Sequence, residues 1–344
     1  MSNITVIGID LAKSVFQVCG LNKANKKQFN VSVKRAKLVD TVLQHPNAII
    51  AMEACGSSHH WGRVFTELGY QVKLIPAQFV KAFSRGNKND ALDALAIAEA
   101  SRRPDLHCVM IKTVEQQDYQ TLLRARTRLI QERTATINQT RGILAEYGVI
   151  LPTSVAAFKR GMPYILEDTD NTLTPIMHAF IQSLYDNYQT LTQRIAAFDR
   201  QLAIIANNHS IMRGLLKLRG GGPISAVAIY ASVGNGHQFK NARQLAAWIG
   251  LVPKQHGTGG ITRLGSMSKR GNQYLRLLLI HGARTVINWI RDRSDGLSLW
   301  AKQLIERRGK HKAIIAVANK TARMIWVVLN RGIENVPDHY RSAT

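Results

Sequence analysis

The sequence is poor in acidic, aromatic and cysteine residues, and each shortage excludes some classes of protein or binding partner. Only 22 Asp and Glu residues stand against 46 Lys and Arg, which gives a net charge of +24 and a pI near 10.4. This imbalance favours a polyanionic partner. Because Phe, Trp and Tyr make up only 7% of the residues, phosphate contacts fit the composition better than extensive base stacking.

The few cysteines and the absence of long apolar runs exclude further classes. Cys19, Cys55 and Cys108 are odd in number and widely spaced, so they indicate neither a disulfide framework nor a zinc site. We expect them to be small core residues. No apolar run approaches the roughly 20 residues that span a bilayer, and no signal-peptide pattern opens the sequence. These features predict a cytoplasmic protein.

The length and the distribution of charge predict a chain of three segments. With 344 residues, two or three units with their own cores are expected. Residues 1–110 and 111–210 carry net charges of +6 and +1, whereas 211–344 hold 22 basic and 5 acidic residues. We therefore predict an α/β domain at 1–108, a helical segment at 109–210 and a basic, mainly helical domain at 211–344.

Hydrophobic patterns support this division. The first segment alternates apolar strands and helices in the order β-β-β-α-β-α-β-α, which is typical of a layered α/β domain. Long helical stretches follow at about 115–148 and 173–207, each with an apolar stripe. These two helices could form an antiparallel or intermolecular coiled coil that mediates oligomerisation, or a spacer that packs on its own domain.

Four carboxylates in the first segment are candidate metal ligands. Asp10 ends the β-branched run of the first strand, and Glu53 ends the apolar run AIIAME. Asp90 and Asp93 open the helical run ALDALAIAEA, where a spacing of three places them on one face. A buried carboxylate without a partner is costly, and Mg²⁺ prefers carboxylate oxygens together with water and substrate phosphate. Ordinary first-turn and strand-end acids are the alternative interpretation.

The third segment offers candidate phosphate contacts and hydroxyl groups. A glycine-rich turn at 219–223 is typical of helix-hairpin-helix elements, although a simple tight turn fits equally well. A basic, hydroxyl-rich stretch at 254–276 is predicted to be a loop, and a second basic loop at 306–312 precedes an amphipathic helix. The candidate nucleic-acid-binding residues are Arg219, Gly221, Lys254, His256, Arg263, Lys269, Arg270, Arg276, Arg307, Arg308, Lys310, Lys312, Lys320 and Arg323.

These motifs together resemble those of one bacterial family. The order GIDLAK, AMEACG, KNDALDA, GGGPISA, FKNARQLAAWIGLVPKQHGTGG, SKRGNQYLR and RRGKHKAIIAVANKTAR closely resembles insertion-sequence transposases of the one-ten family, eleven-eleven subgroup. The resemblance covers nearly the whole chain. It implies a RuvC-like domain of the ribonuclease H-like fold, in which Asp10, Glu53, Asp90 and Asp93 form an Asp-Glu-Asp-Asp tetrad that binds Mg²⁺ or Mn²⁺. It also implies a coiled coil and a C-terminal transposase domain.

The same resemblance implies a serine nucleophile after the GLxP element, where this sequence departs from the family. The matching position is Thr258; the alternatives are a nucleophile at Ser266 or Ser268 nearby, or no covalent step at all. A threonine hydroxyl can act as a nucleophile, but its β-branch adds bulk. His256 is a candidate base or phosphate contact.

The implied partners are donor and target DNA, a structured non-coding guide RNA from the ends of the element, and further copies of the chain in a homodimer or homotetramer. We would then expect a protein associated with the bacterial nucleoid. Two alternatives remain open: a Holliday-junction resolvase-like nuclease, which needs no hydroxyl nucleophile, and a non-catalytic DNA- or RNA-binding protein, which needs no tetrad.

Overall fold

The computed structural model describes residues 4–83 and 89–342. It divides the chain into two compact units, 1–114 (unit 1) and 115–344 (unit 2). The division into three segments at 1–108, 109–210 and 211–344 stays a prediction.

Unit 1 is a mixed α/β unit built on a five-stranded sheet. The described strands are β1 (Ile4–Asp10), β2 (Val15–Asn22), β3 (Lys27–Lys34), β4 (Ile49–Glu53) and β5 (Val72–Ile75). The described helices are α1 (Leu38–Leu43), α2 (Ser58–Glu67), α3 (Ala77–Val80) and α4 (Asp90–Ala100). The strand order is β3-β2-β1-β4-β5; β2 is antiparallel to β1 and β3, while β4 is parallel to β1 and β5. This mixed sheet is consistent with the RuvC-like fold.

Alternation along the strands gives unit 1 two apolar layers. Ile7 and Ile9 of β1 face a cluster that contains residues of α1 and α2, whereas Val6 faces a cluster formed largely by α4. Because successive side chains of a strand point to opposite faces, Gly8 and Asp10 lie on the α4 side with Val6. The sheet is therefore covered on both faces.

Unit 2 is mainly helical. Its described helices are α5 (Val114–Glu146), α6 (Val155–Glu167), α7 (Pro175–Asn208), α8 (Ser210–Leu216), α9 (Pro223–Val233), α10 (Ala242–Ile249), α11 (Gln273–Asn288), α12 (Gly296–Arg308) and α13 (Lys310–Arg331). Strands β6 (Pro253–Thr258) and β7 (Ile261–Met267) pair as an antiparallel hairpin.

The long helices α5 and α7 pack antiparallel within the chain. Arg126 of α5 forms an ion pair with Asp199 of α7, and farther along, the side-chain amide of Asn187 of α7 donates a hydrogen bond to the hydroxyl oxygen of Thr136 of α5. Apolar contacts of Leu129 fill the space between these pairs. Helix α6, which lies between the two long helices, was not predicted from the sequence. Its Phe158 is fully buried with residues of α5 and α7.

Helix α13 combines features of a membrane-spanning helix with those of a core helix. It has 22 residues, and its most apolar window has a mean hydropathy of 1.2. However, Val317, Ala318 and Ala322 are buried in the unit 2 core together with residues of α10, α11 and α12. We therefore interpret α13 as the central core helix of unit 2.

Candidate functional site

Three of the four predicted ligands meet in unit 1. Asp10, Asp90 and Asp93 each place one carboxylate oxygen within 4.8 Å of the others. Asp10 and Asp93 are half-buried, and Asp90 is exposed. Glu53 is not part of this cluster. Three carboxylates at one point concentrate negative charge, which a divalent cation would neutralise.

The sheet register places Glu53 beside the cluster. Ile9 of β1 lies opposite Met52 of the parallel strand β4, so Asp10 and Glu53 are the next residues on neighbouring strands. Ala51 is buried on the α4 side, whereas Met52 is buried on the other side. By alternation, Glu53 shares the α4 side with Asp10. Both acids therefore lie at the carboxyl edge of the sheet.

A glycine in β1 allows α4 to bring its acids to this edge. A Cβ on Gly8 would lie 2.4 Å from the carbonyl oxygen of Ala94 and 2.7 Å from the Cβ of Ala98. Gly8 therefore permits an approach of helix to strand that any larger residue would prevent. The side chain of Asn89 caps the helix by accepting a hydrogen bond from the amide of Ala91.

A thiol lies next to the acids. Cys55 is an exposed residue, but partial burial of its sulfur raises the pKa of the thiol, and the carboxylates of Glu53 and Asp10 raise it further. The expectation that all three cysteines are core residues is wrong for two of them, because Cys19 is buried whereas Cys55 and Cys108 are exposed. Cys55 follows the end of β4, whereas Cys108 directly precedes Val109, which forms an isolated bridge with Leu74 of β5.

The hydroxyl-rich stretch of unit 2 is a β-hairpin and not the predicted loop. Thr258 pairs with Ile261 across the two-residue turn Gly259-Gly260, in which both glycines have positive φ angles of 56° and 79°. Such angles are required by the type I′ turn that favours tight hairpins. The sequence signal was the Gly-Gly pair, but the flanking residues lack apolar alternation because both faces of the hairpin are exposed.

One face of the hairpin combines a hydroxyl with basic groups. His256 lies opposite Arg263, and Thr258 is two residues from His256 on the same strand. Directly opposed and i, i+2 residues share a face, so Thr258, His256 and Arg263 lie on one side. Residues 253–270 contain no acidic side chain. The hairpin therefore presents a threonine hydroxyl on a cationic surface.

The other candidate hydroxyls differ in accessibility. Ser266 is exposed near the base of the hairpin. The Oγ of Ser268 is buried and has no hydrogen-bond partner in the described part of the chain. At the base, Arg276 donates hydrogen bonds to the carbonyl oxygens of Ile249 (2.9 Å) and Arg270 (3.2 Å). These bonds tie the segment after β7 to the end of α10.

The predicted nucleic-acid contacts separate into exposed and internal residues. Arg219 and Arg276 are buried, so their assignment as surface contacts does not fit their location. Lys320, Arg323 and Gly221 are half-buried, and the ammonium of Lys320 lies 3.9 Å from the ring centre of Trp300. The exposed basic residues are Lys254, His256, Arg263, Lys269, Arg270, Arg307, Arg308, Lys310 and Lys312.

Arg219 bonds within unit 2. Its guanidinium forms an ion pair with Asp295 (2.9 Å) and donates to the carbonyl oxygen of His339 (3.0 Å). The adjacent glycines serve close packing, since a Cβ on Gly282 would lie 2.2 Å from the carbonyl oxygen of Gly220. The turn after α8 is thus packed on α11.

Comparisons with known proteins show the family to which the chain belongs. Residues 7–149 match a family of DEDD transposases of the IS110 type, and residues 212–296 match the transposase IS116/IS110/IS902 family. A probable family 20 transposase of Pseudomonas aeruginosa is 44% identical over 96% of this chain and 98% of its own length. The chain belongs to the IS110 family of transposases.

Further relatives support the assignment. The transposase for insertion sequence element IS1111A of Coxiella burnetii is 43% identical over 96% of this chain and 91% of its own length. The pilin gene-inverting protein of Moraxella bovis is 22% identical over 95% of this chain. As a transposase, the protein binds DNA and is an enzyme that cleaves and recombines it.

The acids of the transposase fit the divalent metal ions that DEDD transposases use. Asp10, Asp90 and Asp93 offer the hard oxygen donors that Mg²⁺ and Mn²⁺ prefer, and they are close enough to share an ion. The N-terminus of α4 favours negative charge in its first turn, so the helix also tolerates Asp90 and Asp93 without a metal.

Sequence reasoning missed the residues that position α4 in the transposase. Asn30 of β3 donates a hydrogen bond to the carbonyl oxygen of Ala91 (2.8 Å), in the first turn of α4. Gln17, which lies opposite Asp10, donates to Asn30 and accepts from Ser32, both at 2.7 Å. These polar residues, of which Gln17 and Asn30 are half-buried and Ser32 is exposed, carry no motif, and only the strand pairing connects them to the acids.

Proposed function

We propose that this transposase cleaves and rejoins DNA strands with two groups of residues, the acids of unit 1 and the hydroxyl hairpin of unit 2. The observation that carries the proposal is the convergence of Asp10, Asp90 and Asp93 at one point. Glu53 completes the tetrad from the neighbouring strand. These four residues would hold Mg²⁺, which supplies charge stabilisation at a scissile phosphate when bound.

Thr258 is the proposed nucleophile. Its hydroxyl oxygen would attack the phosphorus, one DNA end would become joined to the threonine oxygen, and the other end would leave as a free hydroxyl. A hydroxyl of the exchanged strand would then attack the same phosphorus and release Thr258. His256 lies on the same face and could accept the threonine proton, while Arg263 could bind a phosphate oxygen.

The accessibility of the hydroxyls supports this choice. Thr258 is exposed next to the hairpin turn, whereas the hydroxyl of Ser268 is buried. Ser266 is exposed but lies at the other end of the ribbon, and it is the second candidate. The β-branch of threonine restricts its rotamers, and we expect it to slow attack relative to serine without preventing it.

We further propose that a structured non-coding RNA from the ends of the element selects the DNA by base pairing, as the family resemblance implies. The protein would then chiefly contact phosphates and RNA shape. The exposed basic residues near 254–270 and 307–312 supply such contacts. The antiparallel pair α5 and α7 would mediate dimers and tetramers as a coiled coil, with acids and hydroxyl contributed by different subunits in a cytoplasmic, nucleoid-associated complex.

A reconstitution tests this proposal. Purified protein, Mg²⁺ and RNA transcribed from the DNA flanking the gene would be assayed for recombination between a donor junction and candidate target DNA. We expect Asp10→Ala to abolish cleavage while RNA binding and folding are retained. Recombination by Asp10→Ala at the wild-type rate would contradict the role of the acids.

The same assay tests the role of the Thr258 hydroxyl separately from that of the acids. Thr258→Ala should abolish covalent protein–DNA adducts, and Thr258→Ser should retain them. Ser266→Ala is the matched control and should leave the adducts unchanged. Adducts that persist in Thr258→Ala would exclude Thr258 as the nucleophile. Cutting of four-way junctions without any rejoining would instead favour a resolvase-like nuclease.

A further inference from the structure

A cavity of about 340 Å³ opens inside unit 2 between α5, α9 and the first turn of α11. None of the residues that line it belongs to the hairpin. The residues that line it are Gln120, Leu123, Arg124, Thr127, Arg128, Gln131, Ala228, Ala231, Ser232, Asn272 and Tyr274. Its volume is in the range of sites that hold small ligands.

The rim of this cavity is cationic. Arg124 and Arg128 are exposed and lie four residues apart on α5, so their side chains are neighbours on one helix face. Neither arginine forms an ion pair or a hydrogen bond with any residue in the described ranges. Like charges at this spacing destabilise a helix unless an anion lies between them. None of the lining residues is acidic.

The inner wall is largely apolar. Leu123, Ala228 and Ala231 are buried there. Tyr274 also lines the cavity, and its hydroxyl is buried without a partner among the described residues. Gln120, Gln131 and Ser232 add hydrogen-bonding groups near the opening. An apolar wall with an aromatic ring and amide groups suits a planar base.

We propose that this cavity binds one nucleotide of a bound strand, with its phosphate between Arg124 and Arg128 and its base against Tyr274. The proposal rests on the nucleic-acid binding proposed above and adds a specific site to it. Guanidinium groups bind phosphate oxygens through paired hydrogen bonds. The shared chemistry is a nucleoside phosphate, which either an RNA or a DNA strand can supply.

Strand binding with cavity variants tests the proposal. The affinities of the full-length protein for labelled oligodeoxythymidine and oligouridine would be measured by fluorescence anisotropy over a range of salt concentrations. We expect the double variant Arg124→Ala/Arg128→Ala to weaken binding of at least one strand by about tenfold, because charged hydrogen bonds are lost. The dependence of log affinity on log salt should become shallower by about one to two units.

Two further variants distinguish binding in the cavity from a general effect of positive charge on affinity. Thr127→Trp fills the opening between the arginines without changing charge, and it should also weaken binding by about tenfold. Arg194→Ala/Arg200→Ala removes two exposed arginines from α7 and is the control for charge; it should change affinity by less than about twofold. Circular dichroism would establish that each variant is folded.

Photocrosslinking identifies the bound strand. Strands that contain 5-bromouracil, as DNA in one arm and RNA in the other, should crosslink to the peptide with Tyr274 in the wild type and not in Thr127→Trp. A crosslink in one arm assigns the site to that strand, and crosslinks in both assign it to any nucleotide. Wild-type affinity in Thr127→Trp, or equal losses in the two arginine pairs, would overturn the cavity site. Failure of the wild type to bind either strand would contradict the proposed function as well.

Discussion

Asp93 lies in the first turn of α4 at a position that suits two physical roles. Its carboxylate meets those of Asp10 and Asp90 within 4.8 Å, and it complements the positive end of the helix dipole. The sequence alone allowed either purpose, because an acid at this position is common in helices. The approach of Asp10 from β1 supports the proposed metal role, since an acid that only complements the helix dipole needs no second acid from a neighbouring strand.

The first prediction concerns this carboxylate. Asp93→Asn keeps the shape of the side chain but removes the negative charge, so we expect strand cleavage to fall by more than about a hundredfold while the fold is retained. Glu67→Gln, an exposed change at the end of α2, is the matched control. Cleavage assays with Mg²⁺ and Mn²⁺ would measure both. Equal activity of the two variants would contradict a metal role for Asp93.

The second prediction concerns the buried ion pair of unit 2. Burial alone would raise the pKa of Asp295, but hydrogen bonds from Ser298 and the charge of Arg219 outweigh it and hold the pKa below its ordinary value. The stabilisation from this pair is therefore present above pH 4 or so and is lost as the pH falls through the lowered pKa.

Arg219→Met should lower the free energy of unfolding by about 3 kcal/mol at neutral pH, because it leaves Asp295 partly buried without its charge partner. Lys217→Met, at an exposed site nearby, should change it by less than about 0.5 kcal/mol. Urea titrations at pH 7 and pH 3 would measure both. A phosphate-contacting Arg219 would instead leave stability unchanged and weaken nucleic-acid binding.

At the scale of elements, the contact of α4 with β1 determines where the acids lie. Gly8 begins the GIDLAK motif, but the motif does not show that a Cβ at this position would lie 2.4 Å from the backbone of α4. The strand ends and the helix start were predicted from the sequence because apolar alternation and the acids at the helix start are local signals. Their mutual approach depends on tertiary packing, which no local pattern encodes.

The third prediction follows from this contact. Gly8→Ala should displace α4, lower the free energy of unfolding by about 1–3 kcal/mol and reduce cleavage. Gly56→Ala is the control, since a Cβ on Gly56 would meet no atom within 4 Å. Thermal unfolding and cleavage rates would be compared. Wild-type cleavage by Gly8→Ala would contradict the positioning role of this contact.

The hairpin was predicted as a loop for a physical reason. Ile261 and Leu264 are 64% and 69% exposed, and neither face of the ribbon packs on a core, so the usual alternation of apolar and polar residues is missing. Helix α6 was missed because Pro163 lies inside it and acidic residues follow it. In both cases the structure depends on contacts or turn geometry more than on periodicity.

The fourth prediction tests the turn of the hairpin. Replacing Gly259 and Gly260 with valine forces two side chains into positive φ, at about 1–2 kcal/mol per residue, so the ribbon should open and covalent attack should be lost. Gly259→Asn keeps a favoured type I′ pair and should retain attack. Both variants should keep the unfolding temperature of the wild type, because the turn lies outside the core. Undiminished attack by the valine variant would contradict the need for this ribbon.

At the scale of the whole molecule, the two proposed parts of the site carry charges of opposite sign. The acids are concentrated at one edge of unit 1, whereas residues 253–270 of unit 2 are basic and lack acids. In the proposed function, a scissile phosphate would be contacted from both parts of the site. Metal ions bound to the acids would contact the phosphate, and so would the cationic side chains of the hairpin. The charge distribution and motif order were readable from the sequence, and they agree with membership of the transposase family.

The central claim is that the acids of unit 1 and the hydroxyl of Thr258 act on the same phosphate. The most direct measurement is mass spectrometry of the protein–DNA adduct that forms with Mg²⁺, after digestion with trypsin. We expect the adduct at Thr258, on the peptide between Lys254 and Arg263, and we expect none in Asp10→Ala. An adduct on another residue, or an adduct at Thr258 that still forms in Asp10→Ala, would contradict the account.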